Sequence, residues 1–400
     1  MRLALIAEHF PPMRSSCAVQ MRDLAFELRD RGHQVTVLVP GHDLRGGYEI
    51  EDCDDIVVVR LRAFRTQDRN YAVRMLGELA MPFMMLRNWR RSKLANRRFD
   101  GIVWYSPNIF FGPLVSALKK ESDCPAYLIL RDIFPEWAAD VGVLSEGRAY
   151  RFLQQVARYQ YTVADVIGVQ TPANLAYFQD DIEGGKCVEV LQNWMRAPAE
   201  RDVSGIDLSG TPIKDRAIFV YAGNMGVAQG MDRLIDLASE LKDDERFGFL
   251  FVGRGSDVGR LESVCRQRGL SNTIFHDEID PKRIPALYAQ ASAGLVALDP
   301  RHRWHNIPGK FISYMHAGLP VLAAINPGND LVSLVEKRGV GRVSVVATGK
   351  ELASLAISMF EDELRGDGCA QRCRGLAQDL FSAATAARQI ETALEEKVGP

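Results

Sequence analysis

Two doubly wound α/β domains are the fold this sequence predicts, and three observations predict it. Short β-branched runs alternate with amphipathic helical periods almost from end to end. The alternation breaks once, over residues 196–216, and then restarts. The runs are mostly apolar, as in parallel strands covered on both faces. At 400 residues and 47% hydrophobic, the chain can bury a core in each of two domains. A formal net charge of −2 with 25% charged residues argues against a general nucleic-acid binder, whose basic excess would show in the whole-chain sum.

In order, the first strand is LALIAEHF. The helix QMRDLAFELRDRGH follows, with Met21, Leu24, Ala25 and Leu28 on one stripe and Gly32 as its stop. The runs QVTVLVP, IVVVRL, GIVWYS, AYLILRD, DVIGVQT and CVEVLQN continue the sheet. They give an N-terminal domain, 1–195. Residues 196–216, RAPAERDVSGIDLSGTPIKDR, are rich in Pro, Gly, Ser and charge and read as a linker. The second series is AIFVYAGN, FGFLFVGRG, TIFHDEI, AGLVAL, PVLAAI and GRVSVV, a C-terminal domain over 217–380. Residues 381–400 are expected as a helix that packs back on the first domain. No short-period repeat occurs, so two similar sheets facing across a cleft are expected, and not a solenoid.

Several features bound the function. The seven cysteines, at 17, 53, 124, 187, 265, 369 and 373, are scattered and odd in number, and the opening MRLALIAEH is interrupted by Glu8 and His9 where a signal peptide would stay apolar. Reduced thiols in the cytoplasm are expected. Cys369 and Cys373 share a helix face without a further Cys or His pair for zinc, and read as structural. The longest apolar run, MLGELAMPFMMLRNW, holds Glu78 and Pro82 and is shorter than the ~20 residues of a spanning helix. After it, residues 87–98, RNWRRSKLANRR, carry six Lys/Arg, no acid and Trp89. Two readings fit: a helix lying on an anionic bilayer, or a solvated helix face. The DCD at 52–54 precedes a strand where a metal-binding acid pair would follow one, so it reads as a polar loop and no metal is expected. No G-x-S-x-G elbow is present for a nucleophilic serine.

Ligands of open parallel sheets bind beyond the carboxyl ends of the strands. In the first domain those positions hold Glu8 to Pro12, Ser106, Arg131, Asp132 and Thr171; in the second, Gly223-Asn224-Met225-Gly226, Gly253-Arg254-Gly255, Asp299 and the stretch leading to Lys310. The loop GNMGVAQG has glycines where a backbone can approach a phosphate at a helix N-terminus, although taken alone a plain tight turn is the better reading of them. Lys310 is more telling. It stands in the first turn of a helix beginning near Gly309, where unpaired N–H groups already concentrate positive potential. It is either a surface lysine of no consequence or one half of an anion site, with Arg254 as the other. Lys310, Ser313 and Ala317 share one helix face, so hydroxyl contacts can follow the phosphates.

HFPPMRSSCAVQMRDLAFELRDRGHQVTVLVP, YAGNMGVAQGMDRLIDLA, FVGRGSD, IPALYAQASAGLVAL and PGKFISYMHAGLPVLA, in this order, resemble a family 4 glycosyltransferase of the GT-B fold. LRDIFPEWAADVGVL, LQNW and IPGKFISYM are similar to the bacterial branch that adds amino sugars such as N-acetyl-L-fucosamine during O-antigen or capsule assembly. The resemblance implies retaining transfer from a nucleotide sugar without metal or other cofactor, the donor on the C-terminal domain and the acceptor on the N-terminal one. The chain departs from the family at several points. The family's glycine pair falls on Ser15 and Ser16, its phosphate-loop Arg and Lys on Asn224 and Gln229, and its two glutamates on His305 and Ser313.

The site expected on this basis has four groups for catalysis, Asp132, Glu136, His305 and Lys310. Gly223, Asn224, Gly226, Gln229, Gly253, Arg254, Asn306, Lys310 and Ser313 would hold the donor, and Ser15, Ser16, Ser106 and Arg131 the acceptor. Lys310 and Arg254 replace the missing cations, and His305 and Ser313 replace ionised glutamates with weaker hydrogen bonds. Asp132 and Glu136 either orient or deprotonate the acceptor hydroxyl, or Asp132 is a structural cap. The expected partners are a UDP-sugar, a polyprenyl-diphosphate-linked saccharide and the cytoplasmic face of the inner membrane through 87–98. A nucleotide-sugar 2-epimerase and a catalytically degenerate binding protein are the alternatives.

Overall fold

The structure is a computed structural model that describes residues 1–13, 15–65, 71–140, 142–197, 204–226, 229–299 and 307–398. Apolar strand runs and striped helices assemble into two units, residues 1–196 with 382–400, and residues 197–381.

The first unit holds β1 (Arg2–Ile6), β2 (Gln34–Gly41), β3 (Tyr48–Cys53), β4 (Ile56–Arg62), β5 (Gly101–Tyr105), β6 (Ala126–Leu130), β7 (Val166–Val169) and β8 (Cys187–Val190). Its helices are α1 (Ser16–Asp30), α2 (Tyr71–Trp89), α3 (Gly112–Ser122), α4 (Glu136–Asp140), α5 (Arg148–Val163) and α6 (Gln179–Glu183). The strand order is β3-β4-β2-β1-β5-β6-β7-β8, parallel except for β3 against β4. Successive strands leave β1 in opposite directions, so the loops after β1 and β5 meet at a topological switch point. All five residues of β5 and of β6 are buried, as the unbroken apolar runs GIVWY and AYLIL require. On α1, Ser15 caps the first turn by accepting from the Ala18 N–H at 3.2 Å, and Met21, Leu24, Ala25 and Leu28 are buried. Gly32 follows the helix at φ +89°, the left-handed region that favours glycine.

Two sequence expectations are corrected in this unit. Asp52 and Cys53 belong to β3, an edge strand whose exposure tolerates three acids, and Asp54 and Asp55 make the turn at φ 52° and 65°. The Asp52 carboxylate accepts from the Asp55 N–H at 3.1 Å, so the DCD stretch closes a hairpin and is not a loop. The basic segment 87–98 is not one helix: α2 ends at Trp89 and turns follow. Trp89 is fully buried, with its ring 5.7 Å from that of Phe99. An indole that fills the core is not presented to a bilayer.

The second unit holds β9 (Ala217–Ala222), β10 (Phe247–Val252), β11 (Thr273–His276), β12 (Ala293–Ala297), β13 (Val321–Ala324) and β14 (Gly341–Ser344). Its helices are α7 (Asp232–Glu240), α8 (Val258–Gln267), α9 (Ile284–Ala289), α10 (Gly309–Ala317), α11 (Asp330–Arg338), α12 (Gly349–Leu364) and α13 (Cys369–Leu380). The order β11-β10-β9-β12-β13-β14 is wholly parallel and reverses between β9 and β12. Residues 204–216 lie along this unit: the Ile206 N–H donates to Gln290 Oε1 at 3.0 Å, Gln290 Nε2 returns a bond to the Ile206 carbonyl at 3.1 Å, and Ile213 is buried.

The last helix, α14 (Ala383–Val398), belongs to the first unit. Ile390 and Leu394 are fully buried in its core, each worth about 2 kcal/mol of apolar burial. Glu391 pairs with Arg31 and with His33 Nε2, the latter at 2.9 Å, and fixes the helix against the end of α1. Among the described residues no helix is long and apolar enough to cross a membrane.

Candidate active site

The second unit builds its site where the strand order reverses. β9 ends in Tyr221-Ala222 and runs into Gly223, whose N–H donates to the Val252 carbonyl at 2.9 Å. The neighbouring loop, Gly253-Arg254-Gly255, lies directly against it, and the Met225 N–H donates to the Arg254 carbonyl at 2.8 Å. This approach requires glycine. Gly253 stands at φ +143°, and a Cβ there would lie 2.0 Å from the Gly223 oxygen. A Cβ on Gly255 would lie 2.1 Å from the Met225 oxygen. The two loops therefore form one surface of paired backbone, exposed at Gly223, Asn224 and Arg254.

Over that surface stands the N-terminus of α10. Pro308 offers no side-chain cap, so the first N–H groups lack the acceptor that an Asx or Ser N-cap supplies. Tyr314 anchors the helix. Its buried hydroxyl lies 3.2 Å from both the Val220 and Leu295 carbonyls, and its ring fills the space where a Cβ on Gly294 would come within 2.4 Å. That anchor fixes Lys310 one turn earlier. Lys310 Nζ donates to the Tyr221 hydroxyl at 2.6 Å, and the Tyr221 hydroxyl donates to the Asn224 carbonyl at 2.7 Å. The ammonium lies 3.9 Å from the Tyr221 ring centroid, and its Cε lies 3.6 Å from the position of a Cβ on Gly223. Burial lowers the Lys310 pKa to about 7, and among the described residues no neighbouring carboxylate counters it.

Other sequence-predicted donor residues take different parts. Asn224 Nδ2 and the Gly226 N–H both donate to Gln229 Oε1, at 3.1 and 2.9 Å. The two amides that replace the family's cations thus close the loop on itself. Arg254 is largely exposed and pairs with Glu278 at 3.2 Å, which leaves its guanidinium accessible but half-neutralised. Ser313 is one turn beyond Lys310 and its Oγ bonds the Gly309 carbonyl at 3.2 Å. His305 and Asn306 lie outside the described residues. Tyr221 was missed from sequence because it reads as one more apolar residue of a buried strand. The signal was its hydroxyl, which must find a partner, two residues before a loop glycine.

In the first unit, Ser15 is the α1 cap and its Oγ lies 3.0 Å from His9 Nδ1, while Ser16 is exposed beside it. Ser106 is fully buried after β5 and its Oγ has no hydrogen-bond partner. Arg131 is buried: its Nη1 donates to the Leu191 carbonyl at 2.8 Å and its Cζ sits 4.7 Å from the Trp194 ring centroid. Its pKa is lowered by burial. Asp132 is half-buried and its charge acts on Arg131 and Tyr105. Glu136 faces other neighbours: Oε1 accepts from the Tyr177 hydroxyl at 2.6 Å and from Gln154 Nε2 at 3.2 Å, and Oε2 is buried without a partner. Among the described residues no group of three or more His, Cys, Asp or Glu side chains stands where it could hold a metal ion.

The comparisons with known proteins agree with the two-domain fold. The family described as glycosyl transferase 4-like domain matches residues 16–194, and the one described as glycosyl transferases group 1 matches residues 216–362. Probable glycosyltransferase WbjE of Pseudomonas aeruginosa is 23% identical over 221 residues, 54% of this chain and 54% of that one. Putative colanic acid biosynthesis glycosyl transferase WcaI of Escherichia coli is 24% identical over 233 residues, 55% of each. The match thus spans about half the length of these curated relatives. Among solved structures, sucrose-phosphate synthase from Thermosynechococcus elongatus superposes with a TM-score of 0.74 at 16% identity, over 99% of both chains. Anabaena HepE in complex with UDP superposes with a TM-score of 0.66 at 16% identity, over 99% of this chain and 100% of that one. With a glycosyl transferase 4-like domain on its first parallel sheet and a group 1 glycosyl transferase domain on its second, the chain belongs to the GT-B glycosyltransferases.

Proposed function

We propose that the protein transfers an N-acetylated sugar, of the 6-deoxy type, from a UDP-sugar to a polyprenyl-diphosphate-linked acceptor during surface-polysaccharide assembly, with retention at the anomeric carbon. The observation that carries this reading is Lys310, uncompensated by any carboxylate among the described residues and held over Gly223 at the open N-terminus of α10. Backbone N–H groups, a helix N-terminus and a cation around one small space are the ingredients of a diphosphate site. UDP in HepE and the colanic acid role in the description of WcaI support the donor and the pathway class.

In this reading the bond between the anomeric carbon and the phosphate oxygen breaks with its electron pair leaving on UDP. The acceptor hydroxyl oxygen forms the new bond and gives up its proton. Lys310 and the α10 N-terminus stabilise the charge that builds on the leaving diphosphate, which is electrostatic catalysis aimed at the transition state. Asp132, at the carboxyl end of β6, is the first-unit carboxylate assigned to orient or deprotonate the acceptor hydroxyl. Glu136, tied to Tyr177 and Gln154, holds α4 in place beside it.

Thermal stabilisation by UDP, GDP and ADP, each measured beside Lys310→Ala, tests the donor site. A nucleotide at about 100 times its dissociation constant adds roughly 2.7 kcal/mol. Stabilisation by UDP alone, lost in the variant, supports the reading. A folded wild type that responds to no nucleotide defeats it and favours a degenerate binding protein. Turnover of a UDP-sugar without any acceptor would move the assignment to an epimerase.

A further inference from the structure

Leu76 on α2 is 67% exposed and Phe83, two turns later on the same face, is 61% exposed. Across a groove from them, α5 exposes Phe152 and Tyr159 on one of its own faces. Between the helices, Phe110 and Pro113 form the floor of a cavity of about 260 Å³, with Leu79, Phe83, Val156 and Tyr159 as its walls. Tyr159 lies so close to the start of α3 that a Cβ on Gly112 would come within 2.8 Å of its ring, so α5 is fixed at this spacing. Large exposed apolar side chains concentrated around one groove mark an interaction surface.

The exposed charges of the two helices beside the groove are mostly basic, with Glu146 just before α5 as an exception. Arg148, Arg151 and Arg158 are exposed on α5, a helix without Asp or Glu. They stand three or four residues from the groove-lining positions and so flank them. On α2, Arg87 is one turn beyond Phe83 on the same stripe, and Arg91 and Lys93 are exposed just after it. Glu78, the acid nearest the groove on α2, is paired with Arg74 at 2.8 Å.

We propose that this groove with its arginine rim docks the protein on an anionic phospholipid leaflet, Leu76, Phe83 and Phe152 entering the acyl layer and Arg87, Arg151 and Arg158 meeting the headgroups. The occupant follows from charge complementarity: apolar side chains two turns apart suit the headgroup–acyl boundary, and the predominantly basic rim suits its negative surface. The surface replaces the one expected from residues 87–98, because Trp89 is buried while the basic residues of that segment join the same rim. The inference rests on the proposed function only for its purpose, presentation of a lipid-linked acceptor.

The experiment is flotation of the full-length protein with vesicles of phosphatidylcholine alone or mixed with phosphatidylglycerol. The expected result is recovery with the mixed vesicles, weakened by salt, and at least about tenfold weaker recovery with phosphatidylcholine. Two variants, Leu76→Gln with Phe83→Gln, and Arg87→Glu with Arg151→Glu and Arg158→Glu, should each lower recovery about tenfold with the melting temperature unchanged. The all-surface arginine variant keeps the test decisive if the apolar pair disturbs α2. Wild type that ignores anionic vesicles, or folded variants that float as well as wild type, overturn the proposal. Sedimentation showing self-association that the Leu76→Gln, Phe83→Gln variant abolishes also overturns it, in favour of a second copy on this face. UDP stabilisation measured on the same samples fails or holds independently of these outcomes.

Discussion

Lys310 Nζ donates to the Tyr221 hydroxyl across 2.6 Å, and this one bond joins the start of α10 to the end of β9. It answers why a lysine stands in a helical first turn where its charge is unfavourable. A buried phenol with a raised pKa accepts from the ammonium but brings no negative charge to it. The arrangement positions Lys310 and leaves its charge to be balanced by something that binds.

Proton uptake on binding is the direct consequence. Unfolded, Lys310 titrates near 10.5, the ordinary value of a lysine; folded, burial brings it to about 7. Between those values the unfolded chain holds a proton that the folded chain lacks, so this group makes stability rise with pH through that window. A diphosphate beside Lys310 restores its charge. Titration calorimetry with UDP at about pH 8.5, in two buffers of different ionisation enthalpy, should therefore report uptake approaching one proton. Heats independent of the buffer would remove Lys310 from the phosphate site.

Tyr221→Phe removes the acceptor of Lys310 and the donor to the Asn224 carbonyl while keeping the ring. Two lost hydrogen bonds predict a destabilisation of about 1–3 kcal/mol and UDP binding weaker by about tenfold. Urea denaturation and the same calorimetry check both. Wild-type affinity in a destabilised variant would show that Tyr221 serves the strand end and not the lysine.

Gly253→Ala should be far costlier than the same change at Gly269. A Cβ at 253 would meet the Gly223 oxygen at 2.0 Å at a φ of +143°, whereas nothing lies within 4 Å of a Cβ at 269, where φ is +65°. The second change carries left-handed strain alone, about 1 kcal/mol; the first must also separate two loops and should cost about 3 kcal/mol or more, with loss of UDP binding. Equal losses by thermal denaturation would mean that the paired loops are not a rigid surface.

The parts of this molecule written in apolar runs were legible in the sequence, and the parts written in single polar contacts were not. All six strands of the second sheet were read from their runs, and the four inner ones, FGFLFV and VLAA among them, are apolar because strands buried on both faces admit little else. The edge strand YEIEDC was missed, since an edge tolerates the acids that resemble a loop. Lys310 was found because its charge conflicts with a helix start, yet Tyr221, its partner 89 residues earlier, carries no local conflict. Asp132 and Glu136 were singled out because they follow a first-domain strand, but that Glu136 is tied to Tyr177 and Gln154 only the fold reveals.

Arg131 supplies the last prediction, because its placement separates an acceptor ligand from a fold-bearing residue. Its Nη1 donates to the Leu191 carbonyl at 2.8 Å, its guanidinium lies over Trp194, and the Trp194 Nε1 in turn donates to the Gln20 carbonyl at 2.9 Å. Removing it leaves a carbonyl without its donor and a void against an aromatic face, in a core that α1 and β8 share. Arg131→Ala should lower stability by about 3 kcal/mol and leave UDP affinity unchanged, since the donor residues lie in the other unit. Arg131→Lys should recover only part of that loss, because an ammonium neither stacks on the indole nor spans two carbonyls as the planar guanidinium does. A variant of wild-type stability with weakened acceptor use would reverse the assignment and place Arg131 in direct contact with the acceptor.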